Sequence, residues 1–191
     1  MALRDYVQSI KVTNNSNNVL NTAISGKTYV SDSGNNYWTI EVATVPMTRA
    51  NFFNNFTNLF NTATSNQYSL QIPVLNNAEG TVSGVLTVNQ VGVKVGATSV
   101  SVSGGSGTLS AGDFIKFSNH TKVYQLTADI TLNGSDTLEF YPPLVTAPVT
   151  STTTVLYDAV SFTVKPSDDS IAFDVGTVGY YQFQQSFREV K

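Results

Sequence analysis

Between Leu109 and Leu144 the chain changes direction every few residues, and that rhythm limits what it can fold into. Ala111-Gly112-Asp113 turns the chain into Phe114-Ile115-Lys116-Phe117, and Asn119-His120 reverses it into Lys122-Val123-Tyr124-Gln125-Leu126. Asn133-Gly134-Ser135-Asp136 reverses it again into Leu138-Glu139-Phe140-Tyr141, and Pro142-Pro143 ends the run. Asn-Gly between alternating segments is a strong hairpin signal, because a primed turn needs positive φ at its central residues. The segment therefore predicts a compact β module.

Strand patterns dominate the rest of the chain as well. Tyr6, Gln8, Ile10 and Val12 alternate with their neighbours, and Asn14 to Asn18 reads as a loop with Asx-turn potential. Trp38, Ile40 and Val42 form one face of a half-buried strand that starts after a Ser33-Gly34-Asn35 turn. Tyr68, Leu70 and Ile72 form another such face, and Leu86, Val88, Val91, Val93 and Val95 supply one or two more, interrupted near Gln90 and Gly92. Val100 and Val102 continue the alternation ahead of Gly104 to Gly107, which reads as flexible. One segment breaks the rule. Phe52, Phe53, Phe56, Leu59 and Phe60 fall at helical spacing, with Thr48 as N-cap and Asn51, Asn54, Asn55, Asn58 and Asn61 on the other face. Asn is a poor helix former, so packing of the Phe stripe against a sheet must hold this helix. Further strands are expected at Phe162 to Val164, around Ile171 to Phe173 and at Tyr180 to Phe183. The predicted fold is mainly β: a β-sandwich with one amphipathic helix (about 47–62) and an inserted small β-barrel-like module. The expected domains are 1–89 plus 159–191 for the sandwich and 90–158 for the insertion, since domains are commonly inserted at exposed loops.

Composition narrows the function. The chain has 191 residues, enough to bury a real core, and 41% of them are hydrophobic. Only 12% are charged, about half the usual share. Surface polarity therefore comes from Ser, Thr and Asn, which suits faces that meet other protein surfaces. A net charge of −3, a pI near 4.9 and the absence of any Lys/Arg run argue against a nucleic-acid binder. With no cysteine there are no disulfides, thiolate nucleophiles or thiolate metal sites. Residues 1–12 lack a basic region followed by an apolar core, so no secretory signal is expected and synthesis is expected in the cytoplasm. No run of about 18 apolar residues suggests a membrane span.

Candidate reactive residues read as turn formers. His120 is the only histidine, whereas a zinc site needs several ligands; its Asn119-His120-Thr121 turn predicts an exposed loop position. A Ser-His-Asp triad would have to use it, yet no Gly-x-Ser-x-Gly elbow occurs. Glycoside hydrolysis would need a carboxylate pair drawn from Asp113, Asp129, Asp136, Glu139, Asp158, Asp168 and Asp169. Most of these sit beside Gly, Ser or Pro, where Asp accepts local backbone hydrogen bonds. No spaced Asp-x-Asp-x-Asp loop offers calcium a cage. Gly104 to Gly107 lacks a following Lys-Ser/Thr and opens no helix, so it is no phosphate cradle. Tyr29, Tyr37, Trp38 and Tyr141 could stack on sugars, but alternation puts Trp38 in the core. The expectation is no catalytic, cofactor-binding or metal-binding residue, and no enzyme activity.

Three pieces in order carry a resemblance. Tyr37-Trp38-Thr39-Ile40-Glu41-Val42 precedes Val45-Pro46-Met47-Thr48-Arg49 and the Phe-rich helix. Tyr68 to Pro73, a Gly80 to Gly84 turn and Val91 to Ala97 follow. Leu109 to Ile115, Lys122-Val123-Tyr124 and Tyr141-Pro142-Pro143-Leu144 close the series. This order resembles structural tail proteins of tailed bacteriophages, especially the distal-tail or baseplate-hub type, over Trp38 to Leu144. The resemblance implies a virion protein that assembles into a ring, commonly sixfold, at the end of the tail tube. It implies no catalytic residue. Its partners would be further copies of itself and neighbouring tail proteins, with neither nucleic acid nor membrane insertion. Tyr180 to Lys191 is expected to pair with a neighbour's sheet. The chain is short for a distal-tail protein with a carbohydrate-binding extension. The alternative is a fibre-associated or capsid-decorating β module that recognises a glycan or coat lattice; a cell-wall hydrolase using Glu139 or Asp113 is the enzymatic rival.

Overall fold

The computed structural model describes residues 6–16, 18–32, 36–61, 67–146, 153–168 and 172–190. Its strands build two bodies with separate hydrophobic cores. The first is a five-stranded antiparallel sheet in the order β1 (Val7–Asn15), β4 (Tyr37–Thr44), β17 (Gln184–Glu189), β14 (Phe162–Pro166) and β5 (Tyr68–Leu70). Strand β4 alternates as read: Trp38, Ile40, Val42 and Thr44 are buried and the residues between them half-buried. The Ser33-Gly34-Asn35 turn lies outside the described residues.

The single described helix is α1 (Arg49–Asn61). Thr48 caps it: its hydroxyl accepts the Asn51 N–H at 3.4 Å and its carbonyl accepts the Phe52 N–H at 2.9 Å. Phe52 and Phe56 are fully buried, while Asn51 and Asn54 are exposed. The Phe52 ring centroid lies 5.5 Å from Tyr181 and 5.2 Å from Phe173, and Phe56 lies 5.4 Å from Phe183. Each buried Phe is worth about 1.5–3 kcal/mol, enough to offset the poor helix propensity of the Asn residues. The side chains of Asn55, Asn58, Leu59, Phe60 and Asn61 lie outside the described residues. Alongside α1, β15 (Asp174–Val175) pairs with β16 (Tyr181–Gln182). Phe173 packs as an aromatic without entering a strand, and Ile171 is not described.

The second body is a closed barrel in the order β10 (Val123–Leu126), β12 (Ser135–Tyr141), β7 (Ser99–Ser103), β6 (Leu86–Val88), β13 (Thr154–Leu156) and β9 (Phe114–Phe117). Phe117, Tyr124 and Phe140 meet edge-on at its centre, with centroids 5.2–5.8 Å apart. Mainly β structure with a closed barrel, and one helix among the described residues, is thus what forms. Three local expectations are corrected. No strand forms over Val91 to Val95, because Gly92 and Gly96 take positive φ and interrupt the extended run; Val91 and Val95 are exposed and only Val93 is buried. Asn133-Gly134 does reverse the chain, but β11 (Ile130–Leu132) pairs with β8 (Gly107–Leu109), while β12 pairs with β7 along Ser135 to Glu139 and with β10 at Phe140 and Tyr141. Gly104 to Gly107 is a tight crossing: Ser106 bridges Ser83, and the backbone at Gly104 and Gly107 passes directly against the Val85 and Thr81 carbonyls.

Gly107 also has φ +92°, which L side chains rarely adopt, and an added Cβ would collide with the Thr81 carbonyl oxygen. Gly107→Ala is expected to cost well over 1 kcal/mol of stability, read as a lowered urea midpoint at unchanged slope. Gly112→Ala, with open space around the Cβ, should cost less.

Candidate functional site

Side chains from both bodies converge at the junction between barrel and sheet. Glu189 ends the central strand β17, and its side chain is 0% exposed. Its carboxylate accepts the Lys122 ammonium at 2.6 Å, the Val123 N–H at 2.7 Å and the Trp38 N–H at 3.3 Å. Lys122, 3% exposed, also donates to the Asn36 carbonyl at 2.9 Å. The Trp38 indole N–H donates to the Val123 carbonyl at 2.9 Å. Both backbone groups of Val123 are therefore bound by side chains of β4 and β17. Phe114 and Val123, although on barrel strands, bury their side chains in the sheet's core, and Phe114 meets Trp38 edge-on at 5.4 Å. Lys116 donates to the Ser161 carbonyl at 3.1 Å.

Burial pushes the Glu189 carboxyl above its ordinary range, against the opposing pull of Lys122 and the backbone N–H groups of Val123 and Trp38. Burial lowers the Lys116 ammonium, and Glu189 partly offsets that. The arrangement clamps two modules together and leaves no lone pair of Glu189 turned to an open cleft.

The candidate reactive residues go elsewhere. His120 is buried, which corrects the expected exposed position: its Nδ1 lies 3.0 Å from the Tyr124 hydroxyl and its ring packs on Phe117. Burial raises the Tyr124 phenol well above its usual range. Asp113 accepts the Glu79 N–H at 2.9 Å and the Ser110 N–H at 2.8 Å; Asp129 accepts the Ala111 N–H and Asp136 the Asn133 N–H, both at 2.7 Å. Asp113 and Asp136 each hold a turn through the N–H three residues earlier, whereas the bonds from Glu79 to Asp113 and from Ala111 to Asp129 tie distant stretches together. Glu139, Asp158 and Asp168 are exposed, and Asp169 lies outside the described residues. Among the described residues no group of three or more His, Asp or Glu could hold a metal ion. Trp38 is a core residue; Tyr29 is exposed, Tyr141 is half-buried, and Tyr37 stacks under Arg188 at 3.8 Å.

Sequence reasoning missed the Lys122–Glu189 pair, whose members stand 67 residues apart. The available signal was alternation: Phe183, Phe187 and Glu189 recur at even spacing, which puts Glu189 on the buried face. The same strand overturns a second expectation. Phe187 to Glu189 is bonded within the chain, on the β14 side throughout and to β4 through Phe187 and Arg188, so this part of the expected pairing segment Tyr180 to Lys191 is already filled.

Residues 77–158, the segment that holds the whole barrel, match the family described as "Distal tail protein pb9, B domain". The match covers less than half of the chain. It supports, independently, the resemblance to distal tail proteins of tailed phages, and with it a structural role in the phage tail. No curated protein matches the chain. No described helix is long and apolar enough to cross a membrane.

Glu189→Gln removes the charge that compensates the buried Lys122 ammonium, and should cost about 3–5 kcal/mol in urea unfolding. Joint Lys122→Met and Glu189→Leu replacement should recover most of that loss, because both charges then leave together. Asp113→Ala strands two backbone N–H groups and should cost roughly 2 kcal/mol by the same measurement.

Proposed function

We propose that this chain is a non-enzymatic assembly subunit of a phage tail tip, which works by associating with copies of itself and by docking neighbouring tail proteins. The match of residues 77–158 to a distal tail protein domain carries this reading. In it the chain closes into a ring of six copies in the virion tail after synthesis in the host cytoplasm, and binds neither nucleic acid nor membrane. The sheet with its helix is one domain, residues 1–76 plus 159–191. The barrel is the other, with its start drawn at residue 77 in place of 90, because β6 pairs within the barrel.

Two surfaces support self-association. Strand β1, nine residues long, stands at the edge of the five-stranded sheet with one side unpaired among the described residues, a natural template for another strand. It leads into a hairpin of β2 (Asn18–Thr22) and β3 (Thr28–Asp32), which among the described residues pair with each other alone and expose Leu20, Ile24 and Tyr29. Unpartnered apolar side chains on an arm of this kind mark an interaction surface. A heterologous contact repeated around an axis closes into a ring when its rotation permits.

The test is mass photometry and sedimentation of the purified chain over a range of concentrations. Ring-sized species are expected, with Leu20→Asp plus Ile24→Asp shifting the population to monomer while circular dichroism stays unchanged. A chain that remains monomeric at high concentration contradicts the self-assembly reading.

A further inference from the structure

The two segments that join barrel and sheet carry the only non-glycine residues with positive φ among the described residues: Val74 (φ 74°) and Ala159 (φ 52°). Val74 is third in an Ile72-Pro73-Val74-Leu75 turn closed by the Leu75 N–H to the Ile72 carbonyl at 3.2 Å. That position normally takes Gly or Asn, and a β-branched residue there is strained. The side chain is 76% exposed, so its own packing does not compensate. The segments are strapped to one another instead. Gln71 donates to the Ala159 carbonyl at 3.1 Å, the Ala159 N–H donates to Asn77 at 3.0 Å, and the Val160 N–H donates to the Asn76 carbonyl at 2.8 Å.

Strained residues persist where the surrounding structure over-determines them, and they cluster at switch regions. Here they occupy both crossings, which is where a hinge between two bodies must lie. Across the junction the closed position is held by Lys122, Glu189, Trp38 and Val123, together with Phe114. We propose that this junction is a strained hinge with a latch: Val74 and Ala159 form the hinge, the buried Lys122–Glu189 pair is the latch, and its release lets the barrel swing away as a folded module. The opened state exposes Trp38, Phe114 and Val123, which would become available to another tail component. The inference stands on the geometry of this chain and does not depend on ring formation.

Trp38 is the only tryptophan and lies in the junction, so its fluorescence reports the latch directly. In Glu189→Gln, Trp38 emission should shift to the red and acrylamide quenching should rise several-fold, while hydrogen exchange shows the amides inside β7, β9 and β12 still protected. Shielded Trp38 in that variant, or loss of protection throughout the barrel together with Trp38 exposure, overturns the latch. Val74→Gly in the otherwise unaltered chain covers the case in which Glu189→Gln does not fold. Relief of strain in the closed state should slow exchange of the Val123 amide about fivefold, the effect of one kcal/mol. Unchanged or faster exchange overturns the hinge assignment.

Discussion

A single carboxylate ties the two halves of this molecule together. Glu189 takes an ammonium and two backbone N–H groups, and the donors come from two stretches of chain: Lys122 and Val123 at the start of β10, and Trp38 in β4. Without it, the ammonium of Lys122 would be buried against a carbonyl alone, and the start of β10 would lose one of the two bonds that tie Val123 to the sheet. The apolar part of the junction depends on this polar frame. Phe114 and Val123 reach the sheet's core only while Trp38 and Glu189 grip the backbone at Val123. A buried pair is a poor source of net stability, since desolvation consumes most of the attraction. What it supplies is orientation, because any other placement of the barrel leaves a charge unpaired.

That orientation matters for a structural protein built from two bodies. The sheet keeps β17 in the middle, so its edge strands are β1 and β5, and β2 and β3 form a separate hairpin between β1 and β4 in sequence. The barrel's own sheet is closed and offers no such edge. The open strand edges of these two sheets therefore lie on one body. The family match to residues 77–158 fits this division, because it treats the barrel as a unit.

Much of this was legible in the sequence, and the gaps have physical causes. The strand at Tyr37 to Thr44, the Thr48-capped Phe helix and the turn carboxylates of Asp113 and Asp136 are local patterns, set by residues a few positions apart, and local patterns survive folding. His120 was misread because a turn in sequence says nothing about which side the turn presents to the rest of the molecule; closure of the barrel laid its ring on Phe117 and Tyr124. The place of β17 was misread for a related reason. Terminal position suggested a free strand, but its alternating Phe183, Phe187 and Glu189 needed burial on one face, and the gap between β4 and β14 provided it. The Lys122–Glu189 pair combines both difficulties, as neither residue has a partner until the barrel and sheet meet.

The most direct test of the assembly role is a density map of the intact particle, with mass spectrometry of purified virions to establish that the chain is present. The account predicts a ring at the distal end of the tail tube, with the sheet bodies in lateral contact and one barrel carried by each copy. A chain absent from virions, or located on the capsid or a fibre as isolated copies, would contradict it.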